Sequence, residues 1–434
     1  MRVKEYEQFG ETLYTLVLPN GLKVNMLPRP NFHKTYGILT TNYGSLDSTF
    51  APLDKDELCK VPDGIAHFLE HKLFEKKNYD AFDLFGKYGA DANAYTSFTR
   101  TSYLFSATKN VKECLDILLD FVQTPYFSDE TVAKEKGIIG QEIKMYDDDP
   151  NWRLFFGMLG NLYPNTPLSV DIAGSVESIA QITPELLYTC YNAFYQPSNM
   201  NLFIVGRLDV EELTSWIEKN QSLKDFPSAQ KIQRVQFENT LESVDIIPYR
   251  MIELDVQRPK TMVGIRGLDV VPEGRDGLKY KLTIDLLLYL LYSESSKNYL
   301  ELYKRGILDD SFGYEFQIER GFHFAVISGD TKNPQELSNE IIGIAENAQN
   351  ILVNQQSEFQ LAQRELIGRY ITSMNSLESI ANQYAGDLFE DATIFDVVPI
   401  IEKITLDDIK KVAQDFIRSE AVSVYQVLPK EDVK

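Results

Sequence analysis

Gly64-Ile65-Ala66-His67-Phe68-Leu69-Glu70-His71-Lys72-Leu73-Phe74 carries two of the four histidines in the 434 residues, four positions apart, with a glutamate between them. The run is apolar around these groups and free of proline, so it predicts a helix, with Asp63 at the position of a cap. Residues three and four apart share a helix face. His67, Glu70 and His71 therefore project within about 100° of arc. Two imidazoles one turn apart can both reach an ion about 2.0–2.1 Å from each nitrogen, as zinc requires. Glu70 stands beside them, placed to take a proton from water activated by the ion. The order His-x-x-Glu-His inverts the commoner zinc-protease order and is the inverzincin signature. The plainer alternative is a pair of core histidines on an amphipathic helix.

A catalytic zinc needs a third protein ligand and an open fourth position. Residues 128–146 predict a second helix, opened by Ser128-Asp129-Glu130, with Val132, Ile138, Ile139, Ile143 and Met145 at largely helical spacing. Glu135 and Glu142 lie on it seven residues apart, two turns along one face. Either could turn toward a metal, and the spacing does not choose between them. Asp147-Asp148-Asp149-Pro150 follows; its acids read as caps of a helix over 151–162 in preference to a hard-cation site.

The remaining composition is that of a soluble globular chain, with 44% hydrophobic and 25% charged residues. A net charge of −21 argues against nucleic acid or an anionic membrane as partner, since both demand basic patches. Cys59, Cys114 and Cys190 are odd in number and far apart, which predicts free thiols in a reducing compartment. The N-terminus has no apolar signal core, and the apolar patch at 286–292 is shorter than a membrane span. The expected location is cytoplasmic.

Along the chain, 13–18 and 22–27 flank Pro19-Asn20-Gly21 and predict a hairpin. A strand is expected at 35–43, a helix at 79–88, a strand pair at 90–98 and 101–107, a helix at 111–123 and a strand at 201–205. The second half repeats this plan. Thr261-Met262-Val263-Gly264-Ile265 parallels Thr35-Tyr36-Gly37-Ile38-Leu39, and Ile404-Thr405-Leu406 parallels Ile182-Thr183-Pro184. Glu358 and Glu365 repeat the seven-residue spacing. The expected fold is α+β: two homologous α/β domains from an internal duplication. The expected boundaries are 1–225 for a zinc-binding catalytic domain, 226–239 for a linker and 240–434 for an inactive repeat. His323, between Phe322 and Phe324, is expected to be half-buried in a strand, not a ligand.

The stretch 64–74, the run Asn93-Ala94-Tyr95-Thr96, and Glu135 with Glu142 together resemble the pitrilysin or insulinase family of zinc peptidases, which includes the mitochondrial processing peptidase. The resemblance covers nearly the whole chain. It implies a clamshell of two halves, zinc held by His67, His71 and Glu142, Glu135 supporting the site, and Glu70 as general base. It also implies that Asn93 and Ala94, with Tyr95, lie on an edge strand that pairs with the substrate backbone. The implied activity is that of a zinc metalloendopeptidase acting on peptides or small unfolded proteins. The alternative is a non-catalytic structural or assembly subunit of a peptidase-like complex.

One departure bears on partners. Family members with both functions in one chain carry an arginine and a tyrosine seven residues apart in the second half, which stabilise the oxyanion and grip substrate. Aligned on Lys304-Arg305-Gly306, that pair falls on Leu302 and Asp309. Arg305 with Tyr314 is a substitute at the wrong spacing. The resemblance therefore implies a heterodimer in which a homologous subunit supplies the pair, or a homodimer.

Overall fold

The computed structural model describes residues 1–53, 55–227, 229–235, 237, 245–383, 388–390 and 392–430. The chain forms two compact units. The first gathers Met1–Ile143, Asp171–Gln236 and Ser373–Asp387, and the second Lys144–Val170, Phe237–Thr372 and Leu388–Lys434. The stretch expected as a linker, 226–239, lies outside the described residues at 228, 236, 238 and 239. Within the first unit, Ala51 N–H donates to the Gln233 carbonyl at 2.8 Å and Val235 N–H to the Thr49 carbonyl at 2.9 Å. Arg234 pairs with Asp47 at 3.2 Å.

The first unit is built on a seven-stranded sheet in the spatial order Arg2–Tyr6, Glu11–Val17, Lys23–Pro28, Met200–Gly206, Thr35–Thr41, Thr101–Ala107, Asp91–Thr96. The Asn-Gly hairpin forms as its sequence predicts, between Glu11–Val17 and Lys23–Pro28. Arg2–Tyr6, too polar to be read as a strand, pairs antiparallel with Glu11–Val17. Every residue of Thr35–Thr41 is buried. A strand whose side chains alternate in direction achieves this only when both of its faces are covered. Helices Val111–Gln123 and Leu377–Gln383 both pack on it.

The second unit carries a five-stranded sheet in the order Tyr249–Leu254, Val422–Pro429, Lys260–Arg266, Phe322–Asp330, Gly313–Glu319. Its first pair is parallel and the next three are antiparallel. The same sequence of pairings runs through Lys23–Pro28, Met200–Gly206, Thr35–Thr41, Thr101–Ala107 and Asp91–Thr96. Taken in chain order, the strand starts are displaced by 226, 225, 222, 221 and 222 residues (249 − 23, 260 − 35, 313 − 91, 322 − 101, 422 − 200). The fold is thus mixed α and β and internally duplicated. The large hydrophobic core of the second unit centres on helix Gly274–Tyr292, which packs on Gly313–Glu319 and on helices Ile394–Ile401 and Leu406–Phe416.

Two helices follow contacts that their sequence position does not announce. Leu377–Gln383 covers strands of the first unit's sheet, and Pro150–Leu162 covers strands of the second unit's sheet. Their starts differ by 227 residues (377 − 150), the displacement of the repeat. In the second unit, Gly157 lies so close to Tyr425 that a Cβ there would sit 2.2 Å from the ring. Asn161 Nδ2 donates to Ser423 Oγ at 3.0 Å and to the Val424 carbonyl at 3.1 Å. Pro150–Leu162 starts as its acids predict, with the Asp149 carboxylate accepting from the Asn151 and Trp152 amides.

His323 lies on strand Phe322–Asp330 and is 2% exposed, so it is fully buried where half-burial was expected. Asp269 satisfies it at 2.9 Å and also accepts from the Tyr280 hydroxyl at 2.8 Å. Among the described residues no helix is long and apolar enough to cross a membrane. Cys59, Cys114 and Cys190 are free thiols.

Candidate metal centre

The motif forms helix Ile65–Phe74, and His71 alone of its ten residues is not buried. Its N-cap is Gly64, not Asp63, and no side chain caps it. Gly64 has φ +86°, and a Cβ on it would lie 2.3 Å from the Ala173 carbonyl oxygen. Only glycine meets both conditions without strain. The neighbouring loop then fixes the entry: the Ser178 hydroxyl donates to the Asp63 carbonyl at 2.8 Å. The helix end that a dangling cap would leave loose is thereby held against residues 173–178.

The glutamate helix runs Asp129–Asp148, and Glu135 is buried on it. Its two acids address the two nitrogens of one imidazole. His71 Nδ1–H donates to Glu135 Oε1 at 3.2 Å, and His71 Nε2 lies 3.6 Å from Glu142 Oε2. His67 Nε2 lies 3.7 Å from Glu142 Oε1. One donor atom from each of His67, His71 and Glu142 falls within 4.8 Å of the others, and among the described residues this is the cluster suited to a metal ion. The separations from Glu142 exceed hydrogen-bond length. They approach the roughly 3.4 Å expected between two ligands of one tetrahedral zinc at about 2.0–2.1 Å. With Nδ1–H donating to Glu135, Nε2 of His71, 3.6 Å from Glu142 Oε2, is left as the nitrogen that ligation needs. His67 Nδ1 is buried without a hydrogen-bond partner among the described residues. The donor set and its geometry fit zinc.

The electrostatics follow from burial. Burial, aided by His71, pushes His67 down to about 4 and keeps it neutral. Burial also opposes charge on His71, but the Glu135 hydrogen bond and the surrounding carboxylates outweigh it and raise its pKa. Burial raises Glu135 as well; the His71 hydrogen bond and the nearby lysines prevail and leave it below its ordinary value. Glu70 is 8% exposed, and burial pushes it up to about 7. That value suits a group that must alternately take and release a proton near neutrality.

Glu70 is tied to the sheet edge. The Thr96 hydroxyl donates to Glu70 Oε2 at 3.0 Å. Thr96 ends strand Asp91–Thr96, the last of its sheet, which packs beside the motif helix. Asn93 and Ala94 lie on that strand, with Asn93 exposed and its side chain accepting from the Ala94 amide at 2.9 Å. The Tyr95 hydroxyl donates to Asn382 Oδ1 at 3.1 Å.

The repeat of the glutamate helix, Gln356–Ser373, keeps the spacing and replaces the chemistry. Glu365 accepts from the Tyr289 hydroxyl and from Arg369, and Glu358 accepts from Lys297 at 3.3 Å. Leu302 is buried at 3% exposure, and Asp309 is paired with Arg258 at 2.6 Å. Arg305 is held by Glu336 at 3.2 Å and Glu340 at 2.7 Å. Two residues near the site escape motif reading. Thr96 belongs to the quoted Asn-Ala-Tyr-Thr run, but its contact with Glu70 is visible only in three dimensions. Lys72 stands next to His71 on the motif helix and is wholly buried, which its place in the motif does not announce.

Comparison with known proteins identifies the family. Residues 60–175 match the family description "Insulinase (Peptidase family M16)", and residues 181–366 match "Peptidase M16 inactive domain". The chain is 47% identical over 426 residues to a Bacillus subtilis (strain 168) protein named "Uncharacterized zinc protease YmfH", covering 98% of this chain and 99% of that one. A crystal structure from Alicyclobacillus acidocaldarius described as an M16-like peptidase superposes with a TM-score of 0.91 at 34% identity, covering 97% and 99% of the two chains. A protease from Helicobacter pylori shares the fold at a TM-score of 0.79 and 19% identity, over 96% and 99%. The His67–His71–Glu142 cluster lies within the insulinase match, the histidine-free repeat of its glutamate helix lies largely within the inactive-domain match, and identity extends over almost the full length: the chain belongs to the insulinase family of peptidases, M16.

Proposed function

We propose that the chain is the zinc-bearing subunit of a metalloendopeptidase that hydrolyses bonds in peptides or small unfolded proteins. The observation that carries this reading is the convergence of His67, His71 and Glu142 on one point with buried Glu70 on the same helix face. His67, His71 and Glu142 would hold the metal, with Glu135 orienting His71. When bound, zinc supplies Lewis acidity that polarises a peptide carbonyl and acidifies water. Glu70 takes the proton of the attacking water and returns it to the leaving amine, with Thr96 holding the carboxylate in place. Asn93 and Ala94, on the last strand of the sheet, align a substrate strand by main-chain hydrogen bonds. Such pairing tolerates many side chains.

The reading includes a partner. Leu302 is buried, Asp309 is paired with Arg258, and Arg305 is engaged by acids. None of these is set to stabilise an oxyanion, a role whose loss costs about 2.7–4 kcal/mol. A homologous subunit carrying an arginine and a tyrosine would restore it, as would groups arising from a homodimer. The free thiols support a cytoplasmic setting. The test is hydrolysis of a quenched peptide library by the chain alone and with a homologous partner, with zinc measured in the same samples. Zinc bound and turnover only in the pair supports the reading. Robust turnover by the chain alone removes the partner from it, and absence of zinc removes the mechanism.

A further inference from the structure

We propose that Lys72 is a positioning residue for the metal centre: it fixes the Glu135 carboxylate that in turn sets the tautomer and direction of His71. The inference rests on the zinc reading above. The Lys72 side chain is wholly buried, immediately after His71 on the motif helix. An ammonium removed from water is stable only when paired, and two carboxylates reach this one. Glu75 pairs with it at the end of the motif helix, and Glu135 Oε2 lies 4.0 Å away from the glutamate helix. Glu135 Oε1 is the atom that accepts from His71 Nδ1 at 3.2 Å. The carboxylate thus spans a cation and an imidazole, one oxygen to each.

This arrangement has a chemical consequence. Glu135 is buried, and a neutral imidazole donor alone does not offset the cost of its charge. Lys72, 4.0 Å from Glu135 Oε2, provides compensating positive charge beside that of Lys134. With Glu135 held between Lys72 and His71, His71 Nδ1–H keeps its acceptor and His71 Nε2 stays 3.6 Å from Glu142 Oε2. Without Lys72 the carboxylate loses its anchor, and the His71 ring loses the partner that orders it. Groups that orient metal-ligating histidines typically change metal affinity about 10–100-fold when altered. A neighbouring buried lysine serves as an internal control. Lys76 lies at the end of the same segment, 7% exposed, and donates to the Thr124 carbonyl at 2.5 Å, not to Glu135.

The experiment is a zinc affinity measurement on the full chain by competition with a chromogenic chelator, with folding checked by circular dichroism. Lys72→Met is expected to weaken zinc binding about 10–100-fold, and Lys72→Arg to recover most of the loss. Lys76→Met is expected to bind zinc as the parent does. Lys72→Met combined with Glu135→Gln is expected to bind no more weakly than Glu135→Gln alone, because both changes break one chain of contacts. Nitrogen chemical shifts of the histidine rings give a second readout: the His71 Nδ1–H form is expected to be depleted in Lys72→Met. If Lys72→Met does not fold, Lys72→Gln carries the same expectations. A folded variant with unchanged zinc affinity and an unchanged His71 tautomer, or full additivity in the double variant, overturns the proposal while leaving the zinc reading intact. A parent chain that binds no zinc overturns both.

Discussion

Gly64→Ala should destabilise the first unit by about 2–5 kcal/mol. The residue has φ +86°, and the left-handed region costs a residue with a Cβ about 1–2 kcal/mol. The new Cβ would also lie 2.3 Å from the Ala173 carbonyl oxygen and 2.8 Å from its carbon. Those are backbone atoms of a loop held by the Ser178–Asp63 hydrogen bond, so they cannot rotate away as a side-chain tip would. Overpacking of this kind adds about 1–3 kcal/mol. With a urea slope of about 3 kcal/mol/M, the unfolding midpoint should fall by roughly 0.7–1.7 M. Gly140→Ala is the matched control. It lies inside helix Asp129–Asp148 with open space around it, so alanine should stabilise by about 0.5–1 kcal/mol through lower backbone entropy in the unfolded chain. The assay is urea unfolding followed by circular dichroism and tryptophan fluorescence on both variants. A Gly64→Ala midpoint equal to that of the parent would mean that the entry to the motif helix is not set by this contact, and the argument would fail.

Three further outcomes are expected. Glu70→Gln should retain zinc and lose about 10²–10⁴-fold or more in peptide hydrolysis, whereas His67→Ala should lose the metal; full turnover in Glu70→Gln would assign the base elsewhere. Chelation should lower the melting temperature of the zinc-loaded chain, since an ion at 100 times its dissociation constant adds about 2.7 kcal/mol, and a melting temperature indifferent to zinc would argue against a bound ion. Asp269→Asn should cost the second unit about 1–3 kcal/mol at pH 7. Burial opposes the Asp269 charge, but His323 and Tyr280 outweigh it and hold the carboxyl below its ordinary value. Its contribution is therefore present above the unfolded pKa of about 3.9 and is lost as pH falls through the lower folded value, so the gap between variant and parent should close in acid; a pH-independent gap would show that packing, not charge, is at stake.

Much of the site was legible because it needs only local regularity. A helix places residues three and four apart on one face, so His67, Glu70 and His71 were bound to converge once the run was helical. Asn-Gly between two apolar runs specifies a hairpin by backbone twist alone, and it formed. The duplication was visible because both repeats keep the same strand order, and burial preserves apolar patterns at matching offsets. Asp63 is not the cap because a glycine in the left-handed region, Gly64, supplies the entry that an aspartate usually would, and only the close approach of Ala173 reveals the need for it.

The division of labour between Glu135 and Glu142 lay beyond local reading. Both stand on one face of one helix, about 10.5 Å apart, and nothing in their spacing ranks them. The path of that helix past the motif helix brings Glu135 to one nitrogen of His71 and Glu142 to the other, and that path is set by packing between segments distant in sequence. The same holds for Thr96 on Glu70 and for Lys72 on Glu135. It holds too for helices Pro150–Leu162 and Leu377–Gln383, which cover sheets their place in the chain does not indicate. By itself the sequence determined the elements, the repeat and the helix-borne histidine pair, since these follow from periods of 3.6 and 2 residues. Only the tertiary structure decided which distant side chains complete the site, because non-local packing has no period to read.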